Sequence, residues 1–91
     1  MLKLVFLGFG LALLGPVAAV ADERCFVADP TGTPLNVRDR PYGRILGALA
    51  NGAAVRKMES TTDRDGRVWS FVAPLGPGRS GWVYREYISC D

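Results

Sequence analysis

Short runs of alternating apolar and polar residues make up the chain from residue 25 onwards, separated by segments rich in Gly, Pro, Asn and Asp. Alternation with a period of two is typical of β-strands with one buried face, and such segments form turns. The pattern predicts strands at residues 25–28, 35–38, 45–49, 53–60, 67–73 and 81–84, with a 3₁₀ turn at 85–88. We therefore expect an all-β fold of five to six short antiparallel strands. The chain is too short for an immunoglobulin-type sandwich, so a compact barrel fits better.

The strand predicted at residues 53–60 departs from regular alternation. Lys57 falls on the face that Val55 would bury, and Met58 points to the opposite face. A local twist, a β-bulge or a lysine that buries its aliphatic stem while its charge stays in water would each explain this pattern. The sequence leaves these explanations open.

Residues 1–21 have the three-part pattern of a secretory signal peptide. Lys3 supplies the positive start, residues 4–14 are almost entirely apolar, and Ala19-Val20-Ala21 offers the small residues that a signal peptidase requires. We predict that this segment is removed and that residues 22–91 form one domain, which is periplasmic or secreted. The alternative is that the segment is retained as a membrane anchor, because its apolar part is nearly long enough to span a bilayer.

The chain has two cysteines, Cys25 and Cys90, near the two ends of the predicted domain. Export would place them in an oxidising compartment, where disulfides form and persist. The alternative is a pair of free or metal-binding thiols, but the chain has no histidine and no third cysteine to complete a metal site. We therefore predict a disulfide that holds the two ends of the domain side by side. Such a bond would stabilise a domain that is too small to bury a large core.

The composition disfavours several functional classes. The chain has 11 basic and 9 acidic residues, without the basic patch that is typical of nucleic-acid binding. It has no histidine for general base catalysis, and its carboxylates are scattered among turns. Asp63 and Asp65 before Gly66 show only part of a calcium-binding pattern. We therefore expect no catalytic activity, no cofactor, no metal and no nucleic-acid partner.

Four spaced elements lie in order along the predicted domain: Leu35-Asn36-Val37-Arg38, Gly47-x-Leu49-x-x-Gly52-x-x-Val55, Asp65-Gly66-x-x-Trp69-x-x-Val72 and Gly81-Trp82-Val83-x-x-x-Tyr87-Ile88. Together they resemble the bacterial SH3 domain family over nearly all of residues 22–91. The departures are Lys57, where the family prefers an apolar residue, and a Pro/Gly-rich insertion at 74–80. The resemblance implies a small SH3-like barrel, and a terminal cysteine pair occurs in some exported members of the family.

The segment 81–88 also resembles the closing strand and 3₁₀ turn of eukaryotic SH3 domains, which contribute to a ligand groove. The resemblance implies that Trp69, Tyr84 and Tyr87 face a common groove. Tyr84 stands where those domains have proline, which disfavours a Pro-rich ligand. Aromatic grooves suit extended peptides or sugar rings. The alternative is that Trp69 and Trp82 have packing roles only.

Arginine and tyrosine residues crowd the loop that would overhang this groove: Arg38, Arg40, Tyr42 and Arg44. Because guanidinium groups bind carboxylates in a bidentate manner, this loop could hold a cell-wall stem peptide or an acidic protein segment. Ordinary solvated loop charge is the alternative.

The resemblance implies a non-catalytic, monomeric binding module of the bacterial cell envelope. Its expected ligand is peptidoglycan or a cell-wall-associated peptide, bound in the groove of Trp69, Tyr84, Tyr87, Tyr42 and Arg38. One alternative is a protein–protein interaction module, such as an accessory subunit or inhibitor of an envelope enzyme. Another is a purely structural domain. We expect no membrane contact after the signal peptide is cleaved.

Overall fold

The structure is a computed structural model that describes residues 22–90, so the predicted signal peptide at 1–21 lies outside the described residues. A single antiparallel sheet contains the strands β1 (Glu23–Val27), β2 (Leu35–Arg38), β3 (Ile45–Leu49), β4 (Ala54–Thr62), β5 (Val68–Pro74), β6 (Gly81–Tyr84) and β7 (Ile88–Cys90). A 3₁₀ turn, Arg85–Tyr87, separates β6 from β7. The strand order across the sheet is β3-β2-β6-β5-β4-β1-β7.

The predicted all-β class and the 3₁₀ turn are confirmed, but the predicted number of strands is wrong. Six strands match the predicted positions to within two residues at each end, and β7 is a seventh. It has only three residues, too few for alternation to be recognised in the sequence. It forms because its backbone pairs with β1, where Phe26 lies opposite Ser89 and Val27 opposite Ile88.

One face of the sheet, called the inner face below, carries the hydrophobic core. Every strand contributes to this cluster, whose members are Cys25, Val27, Leu35, Val37, Leu49, Val55, Val72, Val83 and Ile88. These residues occupy alternate positions, as Leu35 and Val37 do in β2. Each aliphatic side chain that is fully buried contributes about 1.5–3 kcal/mol. Ser70 is buried as well, and its hydroxyl has no hydrogen-bond partner within residues 22–90.

A β-bulge in β4 explains the irregular alternation around Lys57. Lys57 pairs with Val72 and Glu59 pairs with Phe71, so Met58 is an extra residue in the ladder. The bulge turns the following residues relative to the core. Lys57 is half-buried, and its ammonium group lies 3.4 Å from the Glu23 carboxylate. Of the explanations that the sequence left open, the bulge is therefore confirmed.

The predicted disulfide is confirmed and joins the two ends of the described chain. Cys25 and Cys90 lie directly opposite each other in the β1–β7 pair, with their Cα atoms 4.2 Å apart. A disulfide of this kind is consistent with an oxidising compartment. Within residues 22–90, no helix has the length and apolar character needed to cross a bilayer.

A glycine at the start of β6 brings β2 and β6 into close contact. A Cβ atom on Gly81 would lie 2.6 Å from the carbonyl oxygen of Arg38 and 2.6 Å from a methyl group of Val37. Only glycine permits this approach. It places Arg38 opposite Trp82 in the β2–β6 pair. The side of the sheet opposite the core, called the outer face below, therefore receives Arg38 next to the aromatic residues of β6.

Candidate functional site

Aromatic side chains gather on the outer face of β5 and β6. Trp69 and Tyr84 are register partners in these strands, and their ring centroids lie 4.2 Å apart. Tyr87, in the 3₁₀ turn, has its ring 5.4 Å from that of Tyr84. Tyr42 comes from the β2–β3 hairpin, and its ring meets Trp69 edge-on at 5.1 Å. These four residues are called the aromatic groove below.

The tip of the β2–β3 hairpin is held in the conformation that brings Tyr42 over Trp69. Arg38 donates a hydrogen bond from Nη1 to the carbonyl oxygen of Gly43 at 2.8 Å, and Asp39 accepts one from the backbone N–H of Arg44 at 2.9 Å. Gly43 leaves room for the Asp39 carboxylate, which a Cβ atom at this position would displace. Tyr42 has a φ of 60°, which is unusual for a residue with a side chain. The hairpin therefore holds Tyr42 against an intrinsic backbone preference.

Asp63, at the end of β4, links the aromatic groove to the β4–β5 turn. Its Oδ2 accepts a hydrogen bond from Nε1 of Trp69 at 2.9 Å. Its Oδ1 accepts the backbone N–H groups of Asp65 and Arg67 at 2.8 and 3.0 Å. One carboxylate thus closes the turn with one oxygen and orients Trp69 with the other. Since Nε1 is the only polar atom of the Trp69 side chain, this residue has no hydrogen bond left for a ligand.

These contacts change the titration of Asp63 and Tyr42 in opposite directions. The hydrogen bond from Trp69 is the main cause that lowers the pKa of Asp63 to about 2, with help from the backbone N–H of Arg67 and the hydroxyl of Tyr42. A hydrogen bond to Asp63, together with desolvation, raises the pKa of Tyr42 to about 12. At neutral pH Asp63 is therefore charged and Tyr42 is neutral, which is the combination that the hydrogen bond requires.

Arg67 supports the groove from the other side of Tyr84. Its guanidinium carbon lies 3.6 Å from the centroid of the Tyr84 ring, a cation–π contact. Its Nη2 also donates to the Glu86 carboxylate at 2.5 Å, and this hydrogen bond raises the pKa of Arg67. Arg67 covers one side of the Tyr84 ring, so a ligand has access to Tyr84 chiefly from the pocket described next.

A small pocket of about 100 Å³ opens beside the groove. It is lined by Asp29, Thr33, Pro34, Leu35, Asn36, Arg38, Trp69, Tyr84 and Tyr87. Typical sites for whole small molecules measure about 300–1,000 Å³. The volume therefore suits one unit of a longer ligand, with the remainder lying across the exposed part of the groove.

The structure brings the predicted site residues together, but they are unequally accessible. Arg38, Trp69, Tyr84 and Tyr87 line the pocket, and Tyr42 lies against Trp69. Trp69 is only 1% exposed, whereas Tyr42 is 55% exposed. Trp69 therefore has a packing role beneath the groove, and most of the accessible aromatic surface belongs to the tyrosines.

Other aromatic and arginine residues that the sequence singled out lie outside the pocket. Trp82 packs edge-on against Phe71, with ring centroids 5.5 Å apart. Arg40 is exposed and lies 3.5 Å from the Asp39 carboxylate, and Arg44 is exposed at the hairpin. These two arginines fit the alternative of solvated loop charge.

Sequence reasoning missed the charged residues that hold the groove and line the pocket. The sequence indicates Asp63 only as part of an incomplete calcium pattern, and its motifs give no sign of a role for Arg67 or Asp29. The available signal was the position of Asp63 and Arg67 in the short turn before Trp69, where side chains can reach the first residues of the next strand. The partners of Arg67, Tyr84 and Glu86, lie too far along the chain for this pattern to identify them.

One group of potential metal ligands occurs in the described residues, but it does not form a metal site. Glu23, Cys25 and Cys90 have their ligand atoms within 4.8 Å of one another. Both sulfur atoms are joined in the disulfide, and metals bind the thiolate form of cysteine.

Comparison with known proteins identifies no relative of this chain. No family model matches it, and no curated protein or solved structure matches it either.

Proposed function

We propose that the protein is a non-catalytic binding module of the bacterial cell envelope, with an SH3-like barrel that presents the aromatic groove to an extended peptide. The first ligand to test is peptidoglycan, through its peptide component. The observation that carries the proposal is the contact of the rings of Tyr42, Tyr84 and Tyr87 in one groove on the outer face, where Tyr84 and Tyr87 also line a small pocket.

Closure of the sheet into a barrel is supported by the membership of the core. Leu49 belongs to β3 and Ile88 to β7, the two edge strands, yet both side chains belong to one hydrophobic cluster. In a flat sheet these strands would lie six spacings apart, or about 29 Å. A strongly curved sheet accounts for their shared cluster, and a barrel is the usual form of such a sheet.

A binding role is supported by the way in which the groove is held. Asp63 holds the buried Trp69 ring with a charge-assisted hydrogen bond, and Arg67 holds the partly exposed Tyr84 ring above it with a cation–π contact. Rings fixed in advance lose less conformational entropy when a ligand binds. Tyrosine offers a flat apolar surface with a polar tip, which suits an extended chain that carries both apolar and polar groups.

A non-catalytic role in an exported protein is supported by the chemistry of the chain. Both cysteines are joined in the disulfide, so neither provides a nucleophile. The sequence has no histidine to serve as a general base. The oxidising compartment that the disulfide indicates would be the periplasm or the exterior, where the wall peptide is accessible.

Retention of the purified, disulfide-bonded protein on washed peptidoglycan sacculi tests the proposal. Tyr42→Asn removes the most exposed ring of the groove and keeps a residue that tolerates a φ of 60°. Phe26→Thr is the matched control, because Phe26 is 37% exposed on β1 and belongs neither to the aromatic groove nor to the pocket. We expect the wild type and Phe26→Thr to sediment with the sacculi and Tyr42→Asn to remain in solution.

Two results would contradict the wall-binding proposal: absence of the wild type from the sacculi, or equal retention of Tyr42→Asn. Stoichiometric co-purification of an envelope protein, lost in Tyr42→Asn, would identify the groove as a protein–protein site instead. Circular dichroism of each variant establishes that it is folded before the comparison is made.

A further inference from the structure

The pocket beside the groove holds two opposite charges that have no ion-pair partner within residues 22–90. Four ion pairs join the described residues: Arg40–Asp39, Arg56–Asp22, Lys57–Glu23 and Arg67–Glu86. Neither Asp29 nor Arg38 takes part in them, although both line the pocket and are half-buried. A charge that is partly removed from water gains from a partner of opposite sign.

Asp29 is held in place with half of its hydrogen-bonding capacity unused. Its Oδ1 accepts hydrogen bonds from the backbone N–H and the hydroxyl of Thr31, at 2.8 and 2.6 Å. Its own backbone N–H donates to Asn51 at 2.6 Å. Its Oδ2 takes part in no hydrogen bond between described residues. The carboxylate is thus positioned by the loop and keeps one oxygen for a donor from outside.

Arg38 is positioned in the same way on β2. One nitrogen, Nη1, donates to the carbonyl oxygen of Gly43, and this bond fixes the direction of the side chain. The guanidinium group has five N–H donors, so most of them remain for an acceptor that enters the pocket. The rings of Tyr84 and Tyr87 also line the pocket and give it an apolar wall.

We propose that this pocket binds one small dipolar unit, namely an amino acid, a dipeptide or a chain-terminal residue, that carries both an ammonium group and a carboxylate. The ammonium group pairs with Asp29 and the carboxylate with Arg38, while the carbon atoms between them contact Tyr84 and Tyr87. The proposal deepens the function proposed above and rests on it, because it assumes that the groove binds a ligand.

Charge complementarity favours a dipolar unit over neutral or singly charged ligands. An uncharged sugar ring or an internal peptide segment can hydrogen-bond to both residues, but it leaves both charges without a partner of opposite sign. A ligand with a single charge would satisfy only one of the two residues. The pocket volume of about 100 Å³ limits the bound unit to a small one.

Titration of the isotopically labelled, disulfide-bonded protein with alanyl-alanine and its blocked forms tests the proposal. The probes are the free dipeptide, its N-acetyl form and its C-terminal amide. Binding is measured through the chemical shifts of the protein's backbone amides. We expect the free dipeptide to shift pocket residues, and each block to weaken binding by about threefold to tenfold, because each removes one charge-assisted contact. Equal binding of free and blocked forms, or no shift in the pocket, would overturn the proposal.

Substitutions assign each end of the ligand to one residue. The Asp29→Asn variant keeps Oδ1 for Thr31, and acetylation of the dipeptide should no longer weaken its binding to this variant. Amidation of the dipeptide should no longer weaken its binding to Arg38→Gln. Arg38→Lys should keep the preference for a free carboxylate. Arg44→Gln changes an exposed arginine on the same hairpin and should leave both preferences intact. If acetylation and amidation of the dipeptide still weaken binding in both variants, the ammonium group does not pair with Asp29 and the carboxylate does not pair with Arg38.

Competition on sacculi separates this inference from the proposed function and identifies the source of the dipolar unit. Displacement of the protein from sacculi by the free dipeptide would show that a wall peptide end occupies the pocket. Dipeptide binding without sacculus binding would support a dipolar ligand in the pocket but refute peptidoglycan as its source. The ligand would then be a free amino acid or a free peptide. Sacculus binding without any dipeptide effect would refute the pocket inference alone.

Discussion

The two faces of strands β5 and β6 are organised by different forces. On the inner face Val72 and Val83 are fully buried in an aliphatic cluster, held by apolar contact alone. On the outer face Trp69 and Tyr84 are held by the charged residues Asp63 and Arg67. The inner face therefore determines whether the domain folds. The outer face determines the shape of a surface that stands partly in water, and it requires directional contacts to do so.

Removal of the disulfide should destabilise the inner face more than any other change considered below. Cys25 belongs to the core cluster and is joined to Cys90 across 65 positions of the chain. Replacing both cysteines with alanine should lower the free energy of unfolding by about 4 kcal/mol, because the unfolded chain regains the entropy of an open loop. Thermal unfolding followed by circular dichroism measures this loss. An unchanged unfolding temperature would contradict it.

The substitution Val83→Ala should destabilise the same face by a smaller amount. This substitution leaves a cavity in the cluster and should lower the free energy of unfolding by roughly 2–3 kcal/mol. Val68→Ala is the matched control, since Val68 is exposed on β5, and it should change stability by less than about 0.5 kcal/mol. Urea denaturation of the two variants measures both values. Equal losses would show that burial in the core cluster is not what makes Val83 stabilising.

Ser70→Ala should stabilise the inner face, because it removes a polar group from an otherwise apolar environment. The Ser70 hydroxyl is buried without a hydrogen-bond partner among the described residues. Since such a group costs about 1–3 kcal/mol, its removal should raise the free energy of unfolding by about 1 kcal/mol. Urea denaturation again provides the measurement. A clear loss of stability would mean that the hydroxyl has a partner, such as a bound water molecule.

The effect on stability that solvent screening reduces most comes from the outer face, through Asp63. Because its pKa falls to about 2 in the folded protein, from about 3.9 in an unfolded chain, its contribution to stability is present above about pH 4. That contribution is lost as the pH falls from about 4 to about 2. Asp63→Asn should remove this part of the pH dependence while its Oδ1 still closes the β4–β5 turn.

The spectroscopic signature of Trp69 separates the orienting role of Asp63 from a general effect on stability. Asp63→Asn places an amide nitrogen or a neutral oxygen against Nε1 of Trp69, so the resonance of the indole N–H should shift at neutral pH. In a Trp69→Phe background the same substitution should have little effect on the folded state, because the donor is absent. An unchanged indole resonance in Asp63→Asn would contradict the orienting role.

The inner face could be predicted from the sequence because burial on one side of a strand leaves a period of two. Leu35 and Val37 show this period, and both are buried as expected. β7 could not be predicted, since its formation depends on pairing with β1 across the whole length of the chain. The bulge at Met58 was one of several open explanations, because a single extra residue and a change of twist disturb the alternation in the same way.

The outer face was only partly predictable. Trp69, Tyr84 and Tyr87 were placed together through a family resemblance, and the structure brings their rings into contact. The roles of Asp63 and Arg67 were not foreseen, because a side-chain hydrogen bond or cation–π contact has no period along the chain. The burial of Trp69 under Tyr42 was not foreseen either, since it depends on the three-dimensional course of the β2–β3 hairpin.

We propose that the outer face is a binding surface whose shape is fixed in advance, and chemical-shift mapping with solubilised peptidoglycan fragments tests this proposal. Perturbed resonances should cluster on Arg38, Tyr42, Tyr84, Tyr87 and the indole of Trp69, while core residues such as Val55 stay unchanged. Perturbations confined to the disulfide end, or none at saturating fragment concentration, would contradict it.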